Sequence, residues 1–224
     1  MTVPVPFAPL VAVLPDALRP PLPGHDAHAE MAPFPARATL ETLSTELNEG
    51  RPAATLVLLY PGTEGEARFV LTVRHGDLRD HAGQVSLPGG SLEDEETPED
   101  AARREAWEEV GVSPDAVEVV GRLTPIYIPP SRYSVWPIVA TTPERPPFVA
   151  QETEVTQILD VPLAHLLDRT RRHRSTRVAP LGEFEVPFFD LAGHEVWGAT
   201  AMMLAEFVAV AERAVPQPDR GGQT

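Results

Sequence analysis

Glu105, Glu108 and Glu109 stand in the stretch "AARREAWEEVGV". Residues three and four apart share one face of a helix, so their carboxylates converge on one patch. Such like-charged pairs cost roughly a few tenths of a kcal/mol each in water. A divalent cation reverses the sign of that cost, and all-oxygen ligation with water filling the shell suits Mg2+ or Mn2+. Nine acids crowd residues 93–109, with only Arg103 and Arg104 among them. A solvated acidic face is the plain alternative. The preceding "LPGG" shifts the balance, because glycine backbone can bring N–H groups to a phosphate or a carbonyl to a metal. Glu96 lies eight residues ahead of Arg104, and an ion pair between them would tie loop to helix.

The elements that must position these groups are well punctuated. Thr97 is a plausible N-cap, Pro98 suits the first helical position, and Glu99 and Asp100 complement the dipole of the first turn. Gly111 stops the helix and Pro114 prevents its resumption. The spacing therefore predicts a helix over 98–110, after a long glycine-bearing loop over 75–96. Strands are expected over 53–60, 67–74, 117–128, 133–142, 152–161, 184–190 and 194–197. Helices are expected over 36–48, near 162–168, and over 199–214. Residues 1–35 are proline-rich without a sustained period and read as an extended arm or flexible tail. The division is an N-terminal extension over 1–35, one mixed α and β domain over 36–214, and a polar tail over 215–224.

Composition removes several classes of function. The formal net charge is -15, which opposes sequence-independent nucleic-acid binding and docking on anionic membranes. There is no cysteine, so thiolate nucleophiles and thiolate metal sites are out. Every basic residue other than histidine is arginine, which removes Schiff-base chemistry and lysine-bearing phosphate loops. No apolar run spans a bilayer and no segment reads as a signal peptide, so a cytoplasmic protein is expected.

The acidic stretch resembles the Nudix box, G-x5-E-x7-R-E-U-x-E-E-x-G-U with U aliphatic. Gly90, Glu96, Arg104, Glu105, Ala106, Glu108, Glu109, Gly111 and Val112 fill its positions in order. The resemblance implies an α+β fold, a mixed sheet sandwiched between helices, and hydrolysis of a diphosphate linked to a second group with Mg2+ or Mn2+. Carried over by position, Glu105, Glu108 and Glu109 are metal ligands, one of them a possible base. The carbonyl of Gly89 or Gly90 is a further ligand, and Arg104 and Glu96 brace loop and helix.

The segment before the box, "VLTVRHGDLRDHAGQVSLPGG" (70–90), resembles the signature of the coenzyme A pyrophosphatase branch. Leu71, Thr72, Arg74, Arg79, Gly83, Pro88, Gly89 and Gly90 match it, while Val70, His75 and Leu87 depart. The implied substrate is coenzyme A or an acyl derivative. ADP-ribose or a dinucleotide is the neighbouring alternative, and a non-catalytic Nudix ligand sensor a more distant one. Arg74, Arg79, Gly89 and Gly90 are candidate substrate-binding residues; Glu105, Glu108, Arg104 and Glu154 are candidate catalytic ones. Glu154 is the candidate for an acid added from outside the box, with Glu152 the alternative on the same strand face. His75 and His81 lie in the loop before the box, where isolated histidines are more often structural than catalytic. Tyr127, Tyr133 and Trp136 could stack on a base, but aromatics on strands are more often core. The run "RTRRHRSTR" (169–177) could bind an anion, although a solvated hairpin balancing the acidic surface explains it more simply. The oligomeric state stays open, a homodimer included.

Overall fold

The computed structural model describes residues 2–33, 46–76, 83–179 and 182–214. In chain order it contains α1 (Phe7–Ala17), α2 (Gly24–Ala29), β1 (Arg51–Pro61), β2 (Ala67–Arg74), β3 (Val85–Ser86), β4 (Gly89–Ser91) and α3 (Pro98–Val110). There follow β5 (Glu118–Arg122), β6 (Ile126–Ile128), β7 (Tyr133–Thr141), β8 (Val155–Pro162), α4 (Leu163–Leu167), β9 (Arg172–Ala179), β10 (Gly182–Leu191), β11 (His194–Trp197) and α5 (Gly198–Ala214). Short 3-10 turns lie at Glu46–Asn48, Pro114–Ala116 and Arg169–Arg171. Most of the helix expected over 36–48, and the polar tail, lie outside the described residues.

Eight strands make one mixed sheet. Its path runs β3-β2-β1-β7-β5, with β4 beside β1, β6 beside β7 and β8 beside β2. β1 and β7 run parallel from Arg51↔Tyr133 to Leu59↔Thr141; the other pairs are antiparallel. β1 is central and buried on both faces, which explains its unbroken apolar run. Val57 and Leu59 join the larger core with α1 and α5, whereas Leu56, Leu58 and Tyr60 join the core under α3. On that second face Ala101, Ala102, Ala106 and Val110 press against the sheet. Alanine at 106 is therefore an inner-face contact that lets the helix approach closely.

The expectation of an extended arm at the start does not hold. Leu10 and Leu14 of α1 are buried, and so is Leu18 just after it. Their i, i+4 spacing is a helical stripe obscured by proline. Pro9 falls in the first turn, where its missing N–H has no partner to lose. The arm also bonds to the β1–β2 turn through Phe7 N to Gly65 O (2.9 Å) and Ala67 N to Val5 O (2.7 Å). The strand expected from 152 begins at Val155, and residues 152–154 form a turn.

A second, three-stranded sheet orders β11-β10-β9. The arginine run lies on its edge strand and the turn before it. Its side chains pair with acids: Arg169 with Glu212, Arg172 with Glu30, Arg174 with Glu185, Arg177 with Glu195, and Arg171 with Asp168. The run is a neutralised hairpin face. Among the described residues no helix is long and apolar enough to cross a membrane.

Residues at the two ends of the domain meet in a buried polar knot. Glu206 of α5 is fully buried and accepts from Gly24 N (3.0 Å), Thr124 N (2.9 Å) and Thr124 Oγ1 (2.6 Å). Its Oε2 also lies 3.0 Å from His28 Nε2. Burial pushes this carboxyl up, but the hydrogen bonds from His28 and Thr124 outweigh burial and hold it below its ordinary range. A depressed native pKa gives stability that is full above the unfolded value and lost as pH falls through the native one. Glu206→Gln is expected to lower unfolding free energy by about 2–4 kcal/mol, because an amide turns donors toward donors. Urea unfolding between roughly pH 3 and 7 checks it: the variant should lose part of the acid sensitivity of the native protein.

Candidate active site

The site forms where β4 and the following loop turn into α3. β4 pairs with β1 through Ala54↔Gly90 and Thr55↔Gly89, and Leu56 N donates to Pro88 O at 2.8 Å. A Cβ on Gly89 would lie 2.3 Å from Ala54 O, so this approach requires glycine. A Cβ on Gly90 would lie 2.4 Å from Glu105 Oε1, in the space beside that carboxylate. Thr97 caps α3 by accepting from Asp100 N at 3.2 Å. Gly111 ends it at φ 73° with its N–H on Trp107 O.

Arg104 joins loop to helix. Its Nε and Nη2 donate to the two oxygens of Glu96, each at 3.0 Å, and Nη2 also reaches Ser91 O at 2.9 Å. Nη1 donates to Glu105 Oε1 at 2.8 Å and to Glu108 Oε2 at 3.0 Å. This hydrogen bonding holds the Glu96 carboxyl below its ordinary range.

Burial acts on both inner glutamates. Glu109 is only 3% exposed, accepts from Gly89 N at 3.3 Å, and lies 3.8 Å from Arg74 Nη1. Burial pushes its carboxyl up to about 8, against the pull of Arg74, and Glu105 and Glu154 add like charge. Burial also raises Glu105, against Arg104, with Glu108 and Glu154 adding to the rise. Glu108 is 53% exposed. The helix face is thus graded from a buried acid at 109 to an open one at 108.

Among the described residues no three acidic or imidazole groups already close on a single point as a metal cage. The donor chemistry nevertheless fits a hard cation. It consists of oxygens, it includes a buried carboxylate short of countercharge, and the glycine at 90 leaves backbone open beside Glu105.

A strap delivers Glu154. After β7 the chain runs along the end of α3, with Val149 N donating to Val110 O and Gln151 N to Glu109 O, both at 3.0 Å. A Cβ on Gly111 would sit 3.2 Å from Val149 Cβ, so this glycine serves the strap as well as the helix stop. His75 N then holds Glu154 O at 2.8 Å. Glu154 is exposed and its charge is felt by both inner glutamates. Glu152 sits in the turn, so strand alternation does not place it beside Glu154. These strap contacts were not foreseen; the prolines at 143, 146 and 147 signal only that the segment is extended.

The other candidates divide. Arg74 faces Glu109 and keeps a buried Nε without a partner. Arg79 and His81 lie outside the described residues. Tyr127 is buried, Trp136 packs on the core under α3, and Tyr133 is half-buried at the start of β7.

Comparison with known proteins bears on this arrangement. Residues 50–180 match the NUDIX domain. The Escherichia coli protein called "Uncharacterized Nudix hydrolase NudL" is 38% identical over 173 residues, covering 73% of this chain and 84% of that one. "Nudix hydrolase 22, chloroplastic" of Arabidopsis thaliana is 34% identical over 174 residues, covering 74% of this chain and 57% of that one. The crystal structure of the M. smegmatis Nudix hydrolase RenU aligns with a TM-score of 0.49 at 18% identity, covering 76% of this chain and 90% of that one.

Removing Arg104 would strand two carboxylates that are mostly out of water. Arg104→Ala is expected to cost about 2–4 kcal/mol in chemical denaturation. Arg104→Lys should recover less than half of that, since an ammonium cannot grip both oxygens of Glu96 and also reach Ser91. A lysine variant as stable as the native protein would show that the forked geometry is immaterial.

Proposed function

The chain belongs to the Nudix hydrolase family, whose members cleave diphosphates, and from that premise we propose that its substrate is coenzyme A or an acyl derivative. The products are 3′,5′-ADP and 4′-phosphopantetheine or its acyl form. One observation carries the reading: Arg74, from the signature that resembles the coenzyme A branch, lies 3.8 Å from the buried Glu109 of the box. This contact supports reading the end of β2 and the acidic helix as parts of one site. Of the departures from that signature, Val70 and Leu87 are buried, so they act through packing. His75 is the departure left at the site.

Glu105, Glu108 and Glu109, with the Gly90 carbonyl, would hold Mg2+ or Mn2+, which neutralises diphosphate charge and lowers the pKa of a bound water. Arg104 keeps Glu105 and Glu108 aimed through Nη1. Arg74 takes a substrate phosphate in its planar fork, leaving Glu109 to the cation. Glu154, at the open edge, accepts the proton of the attacking water on its carboxylate. The water oxygen bonds to one phosphorus as the bridging P–O bond breaks, and the electron pair leaves with the other phosphate.

Purified protein supplied with magnesium or manganese is expected to convert coenzyme A to the two products, read by chromatography, and to stop when the metal is chelated. Turnover of ADP-ribose or a dinucleotide with coenzyme A untouched would move the assignment to those substrates. Glu109→Gln should lower kcat on the order of 1000-fold or more. Its metal-free melting temperature should hold or rise, because the amide stands in for the uncharged carboxyl that burial favours. Glu154→Gln should reduce kcat by about 100-fold or more with KM little changed, as when a proton acceptor acts only in the transition state. A native kcat in that variant would leave proton transfer to the helix acids.

A further inference from the structure

Most arginines of this acidic protein are neutralised. Among the described residues, Arg51, Arg132 and Arg213 alone form no ion pair with a described acid. Arg213 donates to the carbonyl of Pro21. The other two meet: Arg51 N donates to Arg132 O at 2.8 Å, at the end of the sheet where β1 and β7 begin side by side. Both side chains are exposed. The guanidinium of Arg51 lies over the ring of Tyr133, 4.4 Å from its centroid. The Tyr133 hydroxyl in turn accepts from Ser91 Oγ at 3.2 Å, and Ser91 directly follows Gly90.

Arg132 also adopts a conformation that its side chain does not favour. It closes the β6–β7 hairpin at φ 56°, with its N–H on Ile128 O at 2.8 Å. Glycine, asparagine or aspartate would suit that left-handed position better. An arginine held there beside a second unneutralised arginine is the pattern expected where a cation serves a ligand.

The sheet register sets the distance. Arg51 lies three residues from Ala54, which pairs with Gly90, so strand rise puts the pair roughly 10 Å along the sheet from the box glycine. That is the span of a nucleoside. We infer that Arg51, Arg132 and Tyr133 form a subsite for a nucleotide that carries an additional phosphate on its ribose. Tyr133 meets the aromatic or sugar portion and the two guanidiniums receive the phosphate. This rests on the reading that one arm of the diphosphate is a nucleotide, and it adds the basis for choosing a phosphorylated ribose over a plain one.

Binding of 3′,5′-ADP and of AMP, measured by calorimetry, tests the subsite without turnover. The native protein is expected to bind 3′,5′-ADP at least tenfold tighter than AMP. Arg132→Gly removes the guanidinium while leaving a residue at ease at positive φ, and Arg51→Gln removes the second charge. Each should lower the ratio of the two affinities several-fold, and the double variant should bring it near one. Tyr133→Leu should weaken both nucleotides. Equal binding of the two nucleotides by the native protein, or an unchanged ratio in the double variant, would overturn the subsite. The outcome is separable from the substrate reading: coenzyme A left intact beside rapid ADP-ribose turnover defeats that reading, while the affinity ratio still decides this one.

Discussion

One guanidinium makes the rest of the site possible. Arg104 lies where a returning loop, a short edge strand and an acidic helix converge, and its Nε, Nη1 and Nη2 all serve as donors. Glu96 fixes where the loop re-enters the helix, Ser91 fixes the strand, and Glu105 and Glu108 are drawn to one flank of the cation. Without that centre the acids of α3 would repel and the loop would have no reason to fold back. The same contacts leave Glu109, one turn beyond Glu105, buried beside the Gly89 N–H and the more distant Arg74. The site is thus poised by an unequal distribution of positive charge. Arginine satisfies the outer acids, while burial disfavours the charge of the inner one.

The glycines of the box act through distance as much as through conformation. At 89 any side chain would collide with the backbone of β1, and at 90 it would displace a carboxylate. At 111 the left-handed turn and the closeness of the strap coincide in one residue. The strap is therefore anchored to the helix end by main-chain contacts, which hold whatever side chains it carries. That leaves Glu154 free in identity but constrained in place.

Much of this was readable beforehand, for local reasons. The bounds of α3 follow from Thr97, Pro98 and Gly111, each of which acts within a few residues of itself. The acidic face follows from spacing and the mixed α and β content from hydrophobic pattern, whereas the sheet sandwiched between helices is what the resemblance implies. What could not be read depends on partners far along the chain. The helix over 7–17 is concealed by Pro9 in its first turn and Pro15 near its end, and it is secured by an apolar stripe whose partners lie on α5 and the sheet. The strand start at Val155 depends on a turn clasped between β2 and α3. The arginine run over 169–177 gives no clue that its countercharges lie as far away as Glu30 and Glu212. The unneutralised arginines could not have been distinguished from the neutralised ones by composition.

The buried knot at Glu206 bears on how such a chain comes to be folded. His28 and Glu206 are separated by 178 positions, yet each is fully enclosed only when the other is in place. During vectorial synthesis the segment that emerges early must wait, apolar stripe exposed, for the helix that emerges late. Closure over so long a loop is a slow, non-local event. The first helices of the domain gain their cover only when the last helix arrives, and opening either end removes the cover from the other.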